Sequence, residues 1–388
     1  MTNGPAGSGS PGDVAGKLRE LAAREPGPVP AISAYLDTRW SDEHQRDRVR
    51  VFLKNEIRKA AAMAAGQLDD DLAWVAAEGS RLVDGQVHPE TLGVAMFTGA
   101  SAHRREMLCL AVPFANSFAV DDVPRLRPLV QALGEGPRAV LLFLDGERAR
   151  VAVLTPRGAA DEIVLETADV VGHHRRGGWA LLMQSRYQRH IQDHRRRHFD
   201  AVAHALADLG GHYDVRSIVL AGERRNLAVF RAHLPPRLAD QVVGEVPGAR
   251  YEPTSALAER ARALMHDRRI EEAGSALDAV LVDAEAGGRA TRGLDATLEA
   301  VNRDAVDRLY LLRSYQETGR VCLVCHALQR ENDVVCRWCG GAARVRELGE
   351  AIVRRVLASG GDVATIEAHH DLQRAGGLAA SLRYPPRR

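Results

Sequence analysis

Four cysteines toward the end of the chain carry the clearest chemistry: Cys322-x2-Cys325, ten intervening residues, then Cys336-x2-Cys339. Each Cys-x-x-Cys turn aims two thiolates at one point, and two such turns supply the tetrahedral sulfur set that zinc prefers. Sulfur fills all four positions and leaves none open for a reacting water, so the expected ion is a structural Zn2+, not a catalytic one. The alternative for the same spacing is a redox pair or unrelated thiols. Gly340-Gly341 gives the second turn the backbone freedom it needs. The fifth cysteine, Cys109, lies in the apolar run Met107 to Val112 and reads as a core residue.

The second chemically distinctive stretch is His173-His174-Arg175-Arg176-Gly177-Gly178-Trp179, continuing through Gln184-Ser185-Arg186-Tyr187-Gln188-Arg189-His190 to Arg195-Arg196-Arg197-His198. It holds seven Arg and five His against one acid, Asp193. A Gly-Gly tip lets backbone approach a partner where side chains would forbid it, and the arginine stem favours a phosphate-rich one. The plainer reading is a surface loop backed by a solvated basic helix. His190, His194 and His198 fall at four-residue steps, but Arg189, Arg195, Arg196 and Arg197 around them repel a cation. Phosphate contact or a solvated face therefore suits these histidines better than a metal. Gly177-Gly178 matches neither the phosphate-loop nor the dinucleotide pattern, and no Ser/His/Asp set or nucleophilic cysteine stands out. Asp69-Asp70-Asp71 is explained by a helix start.

The elements that must position these groups form an α/β (α+β) chain of 388 residues, long enough for two or three domains. Lys and Arg (52) nearly cancel Asp and Glu (51), so any nucleic-acid argument rests on clustering and not on net charge. No apolar run reaches the roughly 18 residues of a membrane helix. Residues 1–12 read as a disordered tail without a secretory segment, so a cytoplasmic protein with no membrane contact is expected.

Residues 13–136 read as an N-terminal α/β domain with helices at Asp13–Arg24, Glu43–Ala65, Asp70–Val83 and Val123–Leu133, and strands at Val29–Leu36, Thr91–Phe97 and Glu106–Pro113. Residues 137–250 form a central domain opening on two apolar runs around Asp145-Gly146, the strongest hairpin signal in the chain. A strand at Glu162–Glu166 leads to the Gly-Gly loop, and a helix from Trp179 to Leu209 is expected to stop at Gly210-Gly211. Residues 251–388 read as a C-terminal α/β domain with helices at Thr254–Met265 and Ile270–Glu285, and a zinc ribbon inserted at 320–343.

With these units in view, the chain resembles class-1 peptide chain release factors of the archaeal and eukaryotic type and their bacterial relatives. The resemblance covers most of the chain. It rests on Leu142-Phe143-Leu144-Asp145-Gly146, the Arg-Arg-Gly-Gly loop leading to Arg186-Tyr187, Val306-Asp307-Arg308-Leu309 before the ribbon, and Gly376-Gly377-Leu378-Ala379-Ala380-Ser381-Leu382-Arg383-Tyr384. In that family a Gly-Gly-Gln loop enters the peptidyl-transferase centre, and its glutamine helps position the water that cleaves the peptidyl-tRNA ester. Here Trp179 follows the glycines. A bacterial branch resembling the Vms-type release factors writes the loop Gly-Gly-Trp-x-Gln-x-Arg-(Phe/Tyr). Gln184-Ser185-Arg186-Tyr187 fits that pattern with three extra residues, so Gln184 is the candidate catalytic glutamine. Neither motif with which the family reads stop codons is present, so stop-codon decoding is not expected.

The resemblance implies a three-domain release-factor architecture and a protein that binds the ribosomal A site, reaches the large-subunit peptidyl-transferase centre and touches tRNA and rRNA. A translational GTPase is a further partner it allows. Gly177, Gly178 and Gln184 are the catalytic candidates; Arg175, Arg176, Trp179, Arg186, Arg189, Arg195, Arg196 and Arg197 are the RNA-contact candidates. The expected activity is stop-codon-independent hydrolysis of peptidyl-tRNA on stalled ribosomes, a rescue function. A non-catalytic hibernation factor on idle ribosomes is the alternative, and a generic RNA-binding protein the third reading.

Overall fold

The computed structural model describes residues 14–385, apart from 28, 41–42, 65, 86, 89, 100–104, 136–137, 167–179, 213–214 and 216; the side chains of 43, 160–161, 166 and 180–192 also stand outside the description. Contacts divide the chain into two compact units, residues 1–135 with 268–388, and residues 136–267. The three segments read from the sequence thus fold as two units, because the first and third build one hydrophobic core. Val14, Leu21, Tyr35 and Leu129 from the first sit in the same buried cluster as Leu277, Leu309, Ile352 and Leu382 from the third.

The first half of the discontinuous unit runs α1 (Val14–Ala22), β1 (Ala31–Asp37), α2 (Glu43–Ala64), α3 (Asp69–Asp84), β2 (Gly93–Phe97), β3 (Glu106–Leu110), β4 (Ser117–Asp121) and α4 (Arg127–Glu135). Its antiparallel sheet has the order β3-β2-β1-β4. Successive side chains on β1 point to opposite faces. Ile32, Ala34 and Leu36 meet Val49 and Leu53 of α2 and Leu72 and Val75 of α3. Tyr35 turns the other way, into the cluster shared with the third segment. Both faces are covered, so β1 reads as a continuous apolar run without polar alternation. Asp69, Asp70 and Asp71 occupy the first turn of α3, where carboxylates complement the helix dipole.

The continuous unit contains β5 (Ala139–Leu144), β6 (Arg148–Thr155), β7 (Gly158–Glu166), α5 (Ala180–His212), β8 (Ile218–Gly222), α6 (Arg224–His233), α7 (Pro236–Ala239), β9 (Val242–Val246) and the start of α8 (Thr254–Glu285). The sheet order is β7-β6-β5-β8-β9, antiparallel from β7 to β5 and parallel from β5 to β9. Val140, Leu142 and Leu144 face Phe199, Val202 and Leu206 of α5 and Leu227 and Phe230 of α6. Ala139, Leu141 and Phe143 face Leu257, Ala258 and Ala261 of α8. The Asp145-Gly146 hairpin forms as expected. Asp145 Oδ1 accepts from the amides of Glu147 and Arg148, both at 2.8 Å, and Asp145 Oδ2 accepts from Arg250 Nε at 2.6 Å. Burial pushes the Asp145 carboxyl up, but Arg250 and the two amides together hold it below its ordinary value.

The discontinuous unit resumes with the end of α8, then β10 (Ala290–Arg292), α9 (Leu294–Asn302), β11 (Val306–Leu312), β12 (Thr318–Cys322), β13 (Leu328–Arg330), β14 (Ala343–Glu347), α10 (Leu348–Ala358), β15 (Asp362–Ile366), α11 (His370–Arg374) and β16 (Leu378–Leu382). One sheet has the order β10-β16-β11-β15, and β13-β12-β14 form a separate small sheet. Two glutamates one turn apart tie the halves together. Glu347 caps its own helix α10 through the amides of Gly349 and Glu350, each at 3.0 Å, and takes Arg127 Nη1 at 2.8 Å. Glu350 reaches across to the start of α4 and accepts from the amides of Leu126 and Arg127.

Three local expectations need correction. The helix expected to stop at Gly210-Gly211 continues to His212. Glycine weakens a helix by only about 1 kcal/mol, and Leu206 and Leu209 still anchor that end in the core. The two helices expected at 254–265 and 270–285 are one, since the charged residues Asp267, Arg268 and Arg269 between them are compatible with a helix exposed at that point. The strands β4 and β9 were not foreseen. Both lie at sheet edges, where half-exposed residues show no clear alternation. Among the described residues no helix is long and apolar enough to cross a membrane.

Candidate functional site

The Gly-Gly tip, with Arg175, Arg176, Gly177, Gly178 and Trp179, lies outside the described residues. What is described is the helix that follows it. α5 has 33 residues, a span of about 50 Å at 1.5 Å per residue. Its second half packs on the sheet through Phe199, Val202, Leu206 and Leu209. Gln184 falls at the fifth position of this helix, with Arg186 and Arg189 further along the same element. Their side chains lie outside the description.

Phe199 is the anchor of the stem. Its ring meets Phe230 of α6 edge-on, at 5.1 Å between centroids and 78° between planes. Arg195, an expected RNA contact, is half-buried: its guanidinium lies 5.2 Å over the Phe199 ring and donates to Asn226 Oδ1 at 3.1 Å. This arginine is engaged inside the protein. Arg196 and Arg197 are exposed, and neither has an ion-pair partner among the described residues. His198 is buried, and desolvation lowers its pKa, so it sits in the core as a neutral imidazole. His194 is half-buried, and the side chain of His190 is outside the description. Among the described residues, the four cysteines are the one group placed to hold a metal, and the histidines of α5 are not part of it.

The structure adds two residues that the sequence did not single out. Contacts between α5 and α6 advance together along both helices: Arg195 meets Asn226, Phe199 meets Phe230, and Asp200 Oδ1 lies 2.9 Å from His233 Nε2. The two helices therefore run parallel, and the first turn of α6 lies beside the middle of α5. That turn begins with Arg224 and Arg225, both exposed and without an ion pair among the described residues. Nothing in the sequence signals this proximity, because 25 residues lie between His198 and Arg224 along the chain.

In the ribbon, the four Sγ atoms lie within 4.8 Å of one another. Cys322 and Cys339 Sγ are 3.4 Å apart, and Cys325 and Cys336 Sγ 3.5 Å. Tetrahedral zinc with Zn–S bonds of ~2.3 Å sets neighbouring sulfurs ~3.8 Å apart, so the cluster has the dimensions of such a site. Cys322 Sγ accepts from the amides of Val324 at 3.3 Å and Cys325 at 3.5 Å; Cys336 Sγ accepts from Trp338 at 3.4 Å. These bonds, first that from Cys325, lower the Cys322 thiol to about 6. Both turns end alike: His326 (φ 58°) follows Cys325, and Gly340 (φ 73°) follows Cys339. That left-handed residue turns the chain back so that two sulfurs face one point. Asn302 of α9 holds the ribbon by a reciprocal pair, its Nδ2 donating to Leu328 O at 2.8 Å and its Oδ1 accepting from Leu328 N at 2.7 Å. The sulfur set fits zinc.

Comparison with known proteins places the central segment in a class. Residues 124–265, which include the Asp-Gly hairpin, the Gly-Gly loop and both helices of the basic stem, match the model of a bacterial archaeo-eukaryotic release factor, in agreement with the resemblance read from the sequence. The matching group is family 10 of those factors, and the match is confined to this central segment. Similar solved structures include Pelota of Archaeoglobus fulgidus, at 17% identity over 75% of this chain and 79% of that one, TM-score 0.37. The archaeal translation termination factor aRF1 is similar at 17% identity over 97% and 98%, TM-score 0.25. Dom34 of S. cerevisiae, a translation termination-like factor, is similar at 12% identity over 76% and 80%, TM-score 0.39. No curated protein matches the chain.

Proposed function

We propose that this protein is a ribosome-rescue factor that occupies the A site without reading a stop codon and hydrolyses peptidyl-tRNA on stalled ribosomes. The observation that carries the reading is the family match over residues 124–265, which includes the Gly-Gly loop and its basic stem. Ester hydrolysis at a peptidyl-transferase centre requires positioning and electrostatics more than a side-chain nucleophile. The backbone of Gly177 and Gly178 approaches the tRNA 3′ end, and Gln184 orients the attacking water. Arg175, Arg176, Arg186, Arg189, Arg196 and Arg197 hold RNA phosphates, and Trp179 contacts a base. Cys322, Cys325, Cys336 and Cys339 hold a structural Zn2+ that closes the ribbon. The factor works in the cytoplasm, and a translational GTPase is the partner class that would deliver it; yeast Dom34 is described as interacting with one named protein, Hbs1.

Gln184→Ala is expected to abolish peptide release from a stalled complex loaded with labelled peptidyl-tRNA, while co-sedimentation with ribosomes stays at the wild-type level. Undiminished release by the variant removes Gln184 from the chemistry. One observation favours a second reading: Gln184 lies within helical backbone, five positions into α5. A glutamine fixed in a helix suits a factor that occupies idle ribosomes without cleavage. Wild-type protein that binds empty ribosomes and releases no peptide from any loaded complex would establish that reading.

A further inference from the structure

We infer that Arg224 and Arg225, with Arg196 and Arg197, form a second phosphate-binding surface on the continuous unit, midway along α5, that grips the backbone of structured RNA. The inference rests on the reading of this chain as an RNA-bound, release-factor-like protein. It adds a contact that neither the loop nor the start of α5 provides.

The geometry comes from the pairing of α5 and α6. Because they run parallel, with Arg195 against Asn226 and Phe199 against Phe230, the first turn of α6 is level with the triple arginine of α5. Residues four apart share a helix flank. Arg196 is therefore on the flank of Asp200, which reaches His233, and Arg225 is in line with Val229 and His233 on α6. Arg196 and Arg225 thus border one crease, and the exposed Arg197 and Arg224 follow and precede them about 100° round their own helices. The acids nearby in sequence are Glu223, which is exposed and accepts from Asn226 Nδ2 at 3.4 Å, and Asp193, also exposed. Asp200 is engaged by His233. Other arginines of the unit are spent internally: Arg195 on Asn226 and Phe199, Arg231 on Glu245 at 3.8 Å, and Arg250 on Asp145 and Glu147. Arg196, Arg197, Arg224 and Arg225 are exposed with no carboxylate on them among the described residues, as are Arg157 in the β6–β7 turn and Arg237 in α7, away from this helix pair in sequence.

The chemistry points to phosphodiesters. Arginine presents a planar fork of donors that matches phosphate oxygens and stays charged at every relevant pH. Arg195 has a distinct role as a positioning residue. Its stacking on Phe199 and its bond to Asn226 fix the register of α5 on α6, and so the spacing of the four outward arginines.

The test uses full-length protein, purified vacant ribosomes and deacylated tRNA, titrated across a range of potassium chloride concentrations. Each phosphate contact contributes a slope of about −0.9 in log affinity against log salt on duplex nucleic acid and about −0.7 on single strands. Arg224→Ala/Arg225→Ala is expected to lower the slope magnitude by about 1.4 to 1.8 and to weaken binding to both probes at least tenfold at low salt. The reversal Arg224→Glu/Arg225→Glu should weaken it further. Arg231→Ala, on the same helix but paired with Glu245, should bind like wild type. Matching thermal melts show that the exposed substitutions leave the fold intact. If wild type binds and the double alanine variant binds equally with the same slope, the surface does not exist, while the rescue reading stands. Loss on ribosomes with full retention on both tRNA and protein-free ribosomal RNA would mean contact with an acidic ribosomal protein, and overturns the RNA assignment. If wild type binds neither probe, the parent reading fails and this surface with it.

Discussion

Cys322 and Cys336 are buried, whereas Cys325 and Cys339 are exposed, so each knuckle offers one inner and one outer sulfur. An outer thiol without metal would react freely with an alkylating agent; a thiolate bound to zinc is shielded. Purified protein is therefore expected to hold one zinc per chain, released on mercurial titration. Cys322→Ser or Cys336→Ser should abolish that stoichiometry and unfold the ribbon, while the helical circular dichroism of the rest remains. Cysteine spacing was readable because both halves of the site are local turns, each set by four consecutive residues. The arginines are a different case. Arg195 is indistinguishable from Arg196 and Arg197 in the sequence, yet only Arg195 points at Phe199 and Asn226. Arg224 and Arg225 gain significance only once α6 docks beside α5. Charge is legible from sequence, but which way a guanidinium faces is decided by packing.

At the scale of elements, Phe199 is the aromatic anchor of the stem. Phe199 is buried against Phe230 and the sheet residues Val140 and Leu142. Removing such a ring and leaving a cavity costs ~3–5 kcal/mol. Phe199→Ala should lower the unfolding midpoint of the continuous unit accordingly, readable by urea titration, and should also weaken RNA binding by loosening α5 on α6. Long amphipathic segments were legible: α2 and α3 differ by a residue at their ends from the helices read at Glu43–Ala65 and Asp70–Val83. Three of the strands missed share one physical property. β4, β9 and the three-residue β10 are short strands at sheet edges, whose pairing is supplied by a neighbour and not by their own pattern. A turn rich in charge between two helical stretches was taken for a break, yet charged residues with flexible stems are good helix formers, and α8 runs on through them.

The whole molecule is bound by contacts between chain segments that are distant in sequence. Glu350 is central to these, because its carboxylate caps α4 from α10. Burial raises its pKa to about 7 against the two amide bonds that favour its charged form. An unfolded glutamate releases its proton near 4.5, so between about 4.5 and 7 the folded chain holds a proton that the unfolded chain has lost. Stability from this group is present below that window and is lost as pH rises through it. Glu350→Gln should flatten the fall in melting temperature across the window; an unchanged slope would place the titration elsewhere. The pairing of the first and third segments was not legible, since apolar periodicity says that a face is buried but not against what. The consequence reaches back to how the chain is made. β16, residues Leu378–Leu382, lies inside its sheet between β10 and β11, and Leu382 joins Val14 in one core. Translation proceeds from the amino end, so the continuous unit has all its parts while the discontinuous one still lacks its closing strand. The first segment must wait, with the face that carries Tyr35 uncovered, for β16. This order makes the nascent first segment the stage most in need of a chaperone, and makes any chain cut short before Leu378 a half-finished core.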